Sequence, residues 1–287
     1  MNAFPLIIAL LIVVINFIVA FKWGAMKIIA GGMAAAAALI TLFGTASLVP
    51  YVAGDMLGVH LDWKIVLGAA VVLAFLVYVI CRLIFGGILK VFFRHGGFLH
   101  DCSDGVIGGI LSFFSSAVVI FFIFVCIRIA GTVQELNYLA SISQPGIERA
   151  TNKFPEWPRS SVWRSQLESI PFASEVFDRV EIFSRKENRN MAALLLLKKS
   201  AFINTFLKER EDTKDLVEEP RIEELSKNLD VLALIKEGDR VSLVLNPELR
   251  ALAADGKLKS QLQEMDVEKT VTDLIDLIPE ASMKGRE

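Results

Sequence analysis

Few residues in this chain have the type and spacing to do chemistry, and they lie in its first half. Ser112, Ser115 and Ser116 are the nucleophile candidates. A serine attacks a carbonyl only with a base in hydrogen-bond reach. The apolar run that holds these three, residues 105–127, contains no His, Asp, Glu or Lys. Serines backed by glycines in such a run are packing residues. His60, His95 and His100 fall in short connections, without a spacing that suggests metal ligation. Cys81, Cys102 and Cys126 form no metal or disulfide framework, and the rest of the chain has no cysteine. No phosphate-cradling glycine loop and no zinc-protease motif is present. The expectation is a protein without catalytic residues, metal or cofactor. What remains are four polar residues in or near apolar runs, Asn16, Arg82, Asp101 and Asp104. Their chemistry would be hydrogen bonding between helices, capping, or ion handling.

The elements that must position them are membrane helices. With 54% hydrophobic residues in 287 and a mean hydropathy of +0.52, the chain is too apolar for an ordinary soluble protein. The excess is concentrated before residue 131. About seven Lys/Arg and four Asp/Glu precede residue 135, so a slightly basic half joins a slightly acidic one. No basic cluster of the kind that binds nucleic acid stands out. A bilayer-crossing helix needs roughly 20 mainly apolar residues. Four segments qualify, at about 4–21, 28–49, 65–89 and 105–130. The first lacks a basic leader and a small-residue cleavage site, and is read as an uncleaved span. The predicted architecture is all-α: a four-span transmembrane helical bundle over residues 1–133, a juxtamembrane linker over 134–171 and a helical soluble domain over 172–287.

Orientation follows from Lys and Arg in the short connections. Lys22 and Lys27 lie in the first, Lys90 and Arg94 in the third with Arg82 nearby, and only Lys64 in the second, beside Asp55 and Asp62. This places connections one and three in the cytoplasm, and both termini with the C-terminal domain outside it. Ile65 to Cys81 nearly spans the core, so Arg82 is expected to snorkel to the cytoplasmic headgroups. Asn16 is expected to bond across a helix pair.

The fourth span opens on Asp101-Cys102-Ser103-Asp104-Gly105. Gly105 and Gly109 form a GxxxG pair, and Gly108, Ser112 and Ser116 continue small residues at four-residue spacing. Such a stripe lets another helix approach closely; the sharper alternative is that it lines a pore. Ser103 or Asp104 can cap the helix start. These features resemble the colicin V production protein (CvpA) family of small bacterial inner-membrane proteins with four spans. The likeness lies in Lys22-Trp23-Gly24-Ala25-Met26-Lys27 after the first span and in Asp101 followed by Gly105 and Gly109 at the fourth. The third glycine of that spacing is Phe113 here. The resemblance covers residues 1–130. It implies a bacterial inner membrane, a part in envelope maintenance or in colicin production and export, and no catalytic residues. Asp101 and Asp104 are the positions it marks most strongly, together with Gly24.

In the linker, Pro145, Pro155, Pro158 and Pro171 interrupt any long helix, and Trp157 and Trp163 suit either headgroups or loop packing. Beyond it, one helix is predicted over Asn190 to Arg210, with Leu195, Phe202 and Phe206 on a stripe widened by Leu196, Ile203 and Leu207. The run Leu194–Leu197 before Lys198 and Lys199 suits a core, or alternatively an anionic lipid surface. Shorter helices follow. Glu219-Pro220 opens one with Ile222, Leu225 and Leu229 on a face; Gly238 stops the next; Asp239, Asn246-Pro247 and Asp266 start others. The functional expectation is association through the glycine face, with membrane lipid, a second copy or another membrane protein as partner, and an extracytoplasmic protein or peptide on the tail. The alternative is an oligomeric channel or transporter subunit bordered by Asp101, Asp104, Arg82 and Asn16.

Overall fold

The computed structural model describes residues 4–23, 25–51, 63–93, 105–144, 156–170, 173–180 and 183–284. Among the described residues it shows fifteen α-helices and no strand. The chain divides into two compact units, Met1–Ile127 and Arg128–Glu287.

The first unit contains α1 (Phe4–Trp23), α2 (Ala25–Tyr51), α3 (Trp63–Phe93) and the greater part of α4 (Gly105–Ile142). Long uncharged runs in lipid have one open-ended solution, a helix that satisfies its own backbone. Windows at Ile28–Thr45, Gly68–Ile88 and Ser112–Ile142 are long and apolar enough to cross a membrane. Such helices are those of a multi-pass membrane protein. The apolar stretch Pro5–Val19 of α1 is shorter. α2 and α3 form the most extensive helix pair. Their buried positions are mostly alanines at four-residue spacing, Ala30 and Ala34 on one and Ala70 and Ala74 with Val66 on the other. Small side chains let the backbones close up where lipid offers no hydrophobic drive between helices. Large apolar side chains point outward instead, with Ile40 74% and Leu83 72% exposed. An outward apolar surface of this extent suits hydrocarbon and not water.

α4 is longer than the span expected to end near residue 130. Nothing breaks it before Pro145, and from Arg128 onward its residues belong to the second unit. Leu136, Leu139 and Ile142 are fully buried there. The expected linker is therefore partly helix: the end of α4, then α5 (Arg159–Glu168). Trp157 packs edge-on against Tyr138, ring centroids 5.1 Å apart.

The rest of the second unit is α6 (Ala173–Val180), α7 (Lys186–Leu197), α8 (Ala201–Glu209), α9 (Lys214–Val217), α10 (Pro220–Lys227), α11 (Leu229–Glu237), α12 (Arg240–Leu245), α13 (Pro247–Ala253), α14 (Gly256–Glu264) and α15 (Val267–Lys284). α7 is the axis, buried on every side from Glu187 to Leu197 and packed by α12, α13 and α14. Its second half, Met191–Leu197, is apolar around the whole girth and buried, as a core helix is, so Leu194–Leu197 is a core segment and not a lipid-docking one. Lys198 is also engaged, donating to the Val217 carbonyl at 2.9 Å and to Glu223 at 3.0 Å.

Two expectations are corrected. The helix predicted over Asn190 to Arg210 is two, because the backbone tightens at Lys199 and Ser200, whose N–H groups bond the Leu196 and Leu197 carbonyls, and Ser200 then caps α8 by accepting from Ile203 N–H. Leu229 does not share the face of Ile222 and Leu225. It opens α11 and is 81% exposed, because Asn228 ends α10 and redirects the chain as the cap of α11. Asn228, Asp239, Asn246 and Asp266 each accept a backbone N–H at a helix start. Gly238 ends α11 with φ 79°, a conformation that favours glycine.

Candidate functional site

Of the residues singled out in the spans, the structure brings Asn16, Ser112 and Ser116 together. Asn16 Nδ2 donates to Ser116 Oγ at 3.0 Å, and that hydroxyl donates to the Ser112 carbonyl at 3.0 Å. Both serines are buried. Next to them, a Cβ on Gly32 of α2 would lie 2.7 Å from Ser115 Oγ and 2.9 Å from its Cα, so α2 and α4 meet backbone to backbone. Phe113 lies beside Phe17, ring centroids 6.4 Å apart. α4 thus turns Ser116 to α1 and Ser115 to α2, with Ser112 buried beside them, as a seam of small polar groups. Arg82 makes its bonds on its own helix, donating to Tyr78 Oη at 3.2 Å with its guanidinium 5.8 Å from that ring. It is exposed, as snorkelling requires. Gly105, Gly108 and Gly109 fall in the first turns of α4; their packing, and Asp101, Asp104 and Gly24 altogether, lie outside what the structure describes.

A second cluster lies in the second unit, where three guanidiniums meet three carboxylates. Arg164 on α5 pairs with Glu135 on α4, both almost wholly buried. Glu168, one turn further on α5, receives Arg189 of α7 at 3.1 Å and Arg128 of α4 at 3.4 Å, with Arg164 at 3.8 Å. Arg128 also donates to Asp178 at 2.7 Å and to the Ser184 carbonyl at 3.3 Å, and its guanidinium lies 5.3 Å from the Phe177 ring centre. Close approach of α5 to α4 makes this possible. A Cβ on Gly131 would fall 2.7 Å from the Ser160 carbonyl oxygen and 2.9 Å from Arg164 Cβ. Ser161 Oγ donates to the Gly131 carbonyl at 3.0 Å and Ser160 Oγ to Gln134 at 2.6 Å, tying the two helices together.

Three positive and three negative groups balance, which is the condition for burying charge at all. Burial pushes the Glu168 carboxyl upward, but Arg189, Arg164 and Arg128 outweigh it and hold the group below its ordinary range. Burial also works against the Arg189 cation, and Glu168 and Glu135 more than offset it, so its pKa is raised. Arg164 is lowered by its burial and by the neighbouring Arg189. A carboxylate so held is a weak proton acceptor. The cluster is suited to fixing helices, not to proton transfer.

This cluster is not among the sites expected from the sequence. One signal was available: Glu135 follows Arg128 seven residues later, on the same helical face, and Arg164 and Glu168 stand four apart.

The second unit also has a cleft of about 300 Å³ whose lining includes Asn137, Ser141, Gln144, Lys199, Lys236 and Arg240. Arg240 is half-buried, bonded to Asn137 Oδ1 at 3.3 Å and to the Ile235 carbonyl at 3.2 Å, and burial lowers its pKa. Among the described residues no carboxylate lines the cleft. Among the described residues no group of His, Cys, Asp and Glu could hold a metal ion. Comparison with protein-family models, with curated proteins and with solved structures finds no match for this chain.

Proposed function

We propose that the chain is a non-enzymatic multi-pass protein of the bacterial inner membrane, of the colicin V production type, with a role in envelope maintenance or in toxin and colicin production and export. It acts by helix–helix association and partner binding. α1 crosses the bilayer with the other three apolar helices, and the second unit lies on the extracytoplasmic side. The observation that carries the binding reading is the seam at residues 112–116 of α4. Asn16 of α1 is joined to Ser116 of α4, whose hydroxyl in turn bonds the Ser112 carbonyl one turn back on the same helix. In the sequence the small-residue stripe continues toward Gly109, Gly108 and Gly105, and these are the positions assigned to contact with a second copy or another membrane protein. On the second unit, the cleft lined by Lys199, Lys236 and Arg240 offers three cations to an acidic segment of an envelope protein. A channel or transporter subunit would need polar side chains bordering a pathway. Asn16 and Arg82 are instead bonded to Ser116 and Tyr78, which favours association.

The test is crosslinking in whole membranes followed by co-purification. Gly105→Leu with Gly109→Leu should abolish the crosslinked species while leaving the chain inserted. A doubly substituted chain that still crosslinks at wild-type yield would count against the association surface. Ion-dependent flux through the purified, reconstituted protein would count against the binding reading as a whole.

A further inference from the structure

We propose that α6 lies on the bilayer surface, with Val176 between headgroups and acyl chains. The inference rests on the reading of α4 as a span and deepens it. Residues 105–127 carry no charged side chain, and at ~1.5 Å per residue they cover a ~30 Å hydrocarbon core. Arg128 is the first charge after them and marks the water side.

α5 runs back antiparallel along the remainder of α4. Trp157 meets Tyr138, Ser160 bonds Gln134, Ser161 bonds the Gly131 carbonyl, and Glu168 reaches Arg128. The chain has therefore returned to the level of Arg128 when α5 ends. α6 follows and is held at that level, with Asp178 bonded to Arg128 and Phe177 beside its guanidinium. A helix fixed beside the first charge of a span has the headgroup zone as its surroundings.

The side chains of α6 suit that zone. Phe177 is buried against the unit, whereas Val176 is 51% exposed beside exposed Glu175. The sequence leading in, Ile170-Pro171-Phe172, carries no charge. The other exposed large hydrophobic residues of the second unit, Leu229, Leu232 and Leu277, have no bond to Arg128 that would set them at this depth. The contact is apolar rather than an attraction to anionic lipid, because the α6 sequence Ala173–Val180 has one basic residue against two acidic ones.

The experiment uses the full chain in phosphatidylcholine nanodiscs, with Cys81, Cys102 and Cys126 replaced by Ser. Single cysteines are introduced as Val176→Cys, Leu229→Cys and Phe114→Cys and labelled with an environment-sensitive fluorophore. Lipids brominated at shallow or deep acyl positions then report depth. The expected result is loss of emission at 176 with shallow bromines, at 114 with deep ones, and at 229 with neither. Quenching at 114 without quenching at 176 overturns this proposal and leaves the span intact. No quenching at 114 overturns the span itself. If the cysteine-free chain does not fold, a photocrosslinking amino acid at the same three positions of the native chain makes the comparison. Lipid adducts at 176 and 114 but not at 229 support docking, and their absence at 176 alone overturns it.

Discussion

Glu168 is surrounded by the guanidiniums of Arg128, Arg164 and Arg189, and this sets how the second unit responds to acid. Its folded pKa is depressed. A carboxylate of this kind contributes its full stability above its unfolded value, about 4.3, and loses that contribution as pH falls through the folded value. Thermal melts from pH 7 to pH 3 should therefore fall steeply only below about pH 4.3. Glu168→Gln should flatten that part of the curve and lower the plateau above it. Glu135 offers a second test. Removing one partner of a buried pair strands the other, at a cost of about 3–5 kcal/mol. Glu135→Ala should show this in urea unfolding followed by tryptophan emission, and joint replacement of Glu135 and Arg164 by Leu and Met should cost less than their single replacements suggest. These pairings were only partly legible in the sequence. Helical spacing links Arg128 to Glu135 and Arg164 to Glu168, but no periodicity links Arg128 to Asp178 or Arg189 to Glu168. Those contacts come from how α4 to α7 pack.

Glycines distinguish helix faces in close contact from faces that are open. At Gly32 and Gly131 an added Cβ meets backbone atoms within 3 Å, whereas at Gly68 and Gly86 nothing lies within 4 Å. Gly32→Ala and Gly131→Ala should each destabilise by about 1–3 kcal/mol, the usual cost of overpacking. Gly68→Ala and Gly86→Ala should cause no loss. Heat challenge of detergent-solubilised protein, read by size-exclusion profile, distinguishes the pairs. Asn246 accepts the Leu249 N–H at 3.1 Å, so Asn246→Ala should cost about 0.5–2 kcal/mol in chemical unfolding. The caps could be read from the sequence because they are local: Asn246-Pro247, Asp239 and Asp266 stand where helices start. The break at Lys198–Ser200 could not. The apolar stripe runs through it from Leu195 to Leu207 without Gly or Pro, and Ser200 was the sole mark. The fourth span's length escaped for a related reason, since Leu136, Leu139 and Ile142 make too short a periodic set to extend a helix on sight.

For the whole molecule, the number of spans decides which sides the ends occupy. With four crossings, reporters fused at the two termini should be active on the same side of the membrane; if α1 does not cross, they should report opposite sides. The long apolar runs were plain in the composition, since hydrocarbon tolerates few sequence types. The helical array of the second unit was legible as helices but not as an arrangement, because its order around α7 depends on side-chain fit. The charge cluster also has a consequence for biosynthesis. Its six groups come from α4, α5, α6 and α7, so Arg128 and Glu135 leave the ribosome well before Arg189. At about 5–20 residues per second that interval is about 3 to 12 seconds. Until Arg189 emerges, Glu168 lacks the nearest of its three arginines, and the incomplete cluster leaves the chain open to quality-control proteases. Chains stopped before Arg189 should be cleared quickly in pulse–chase experiments, and chains that include it should persist.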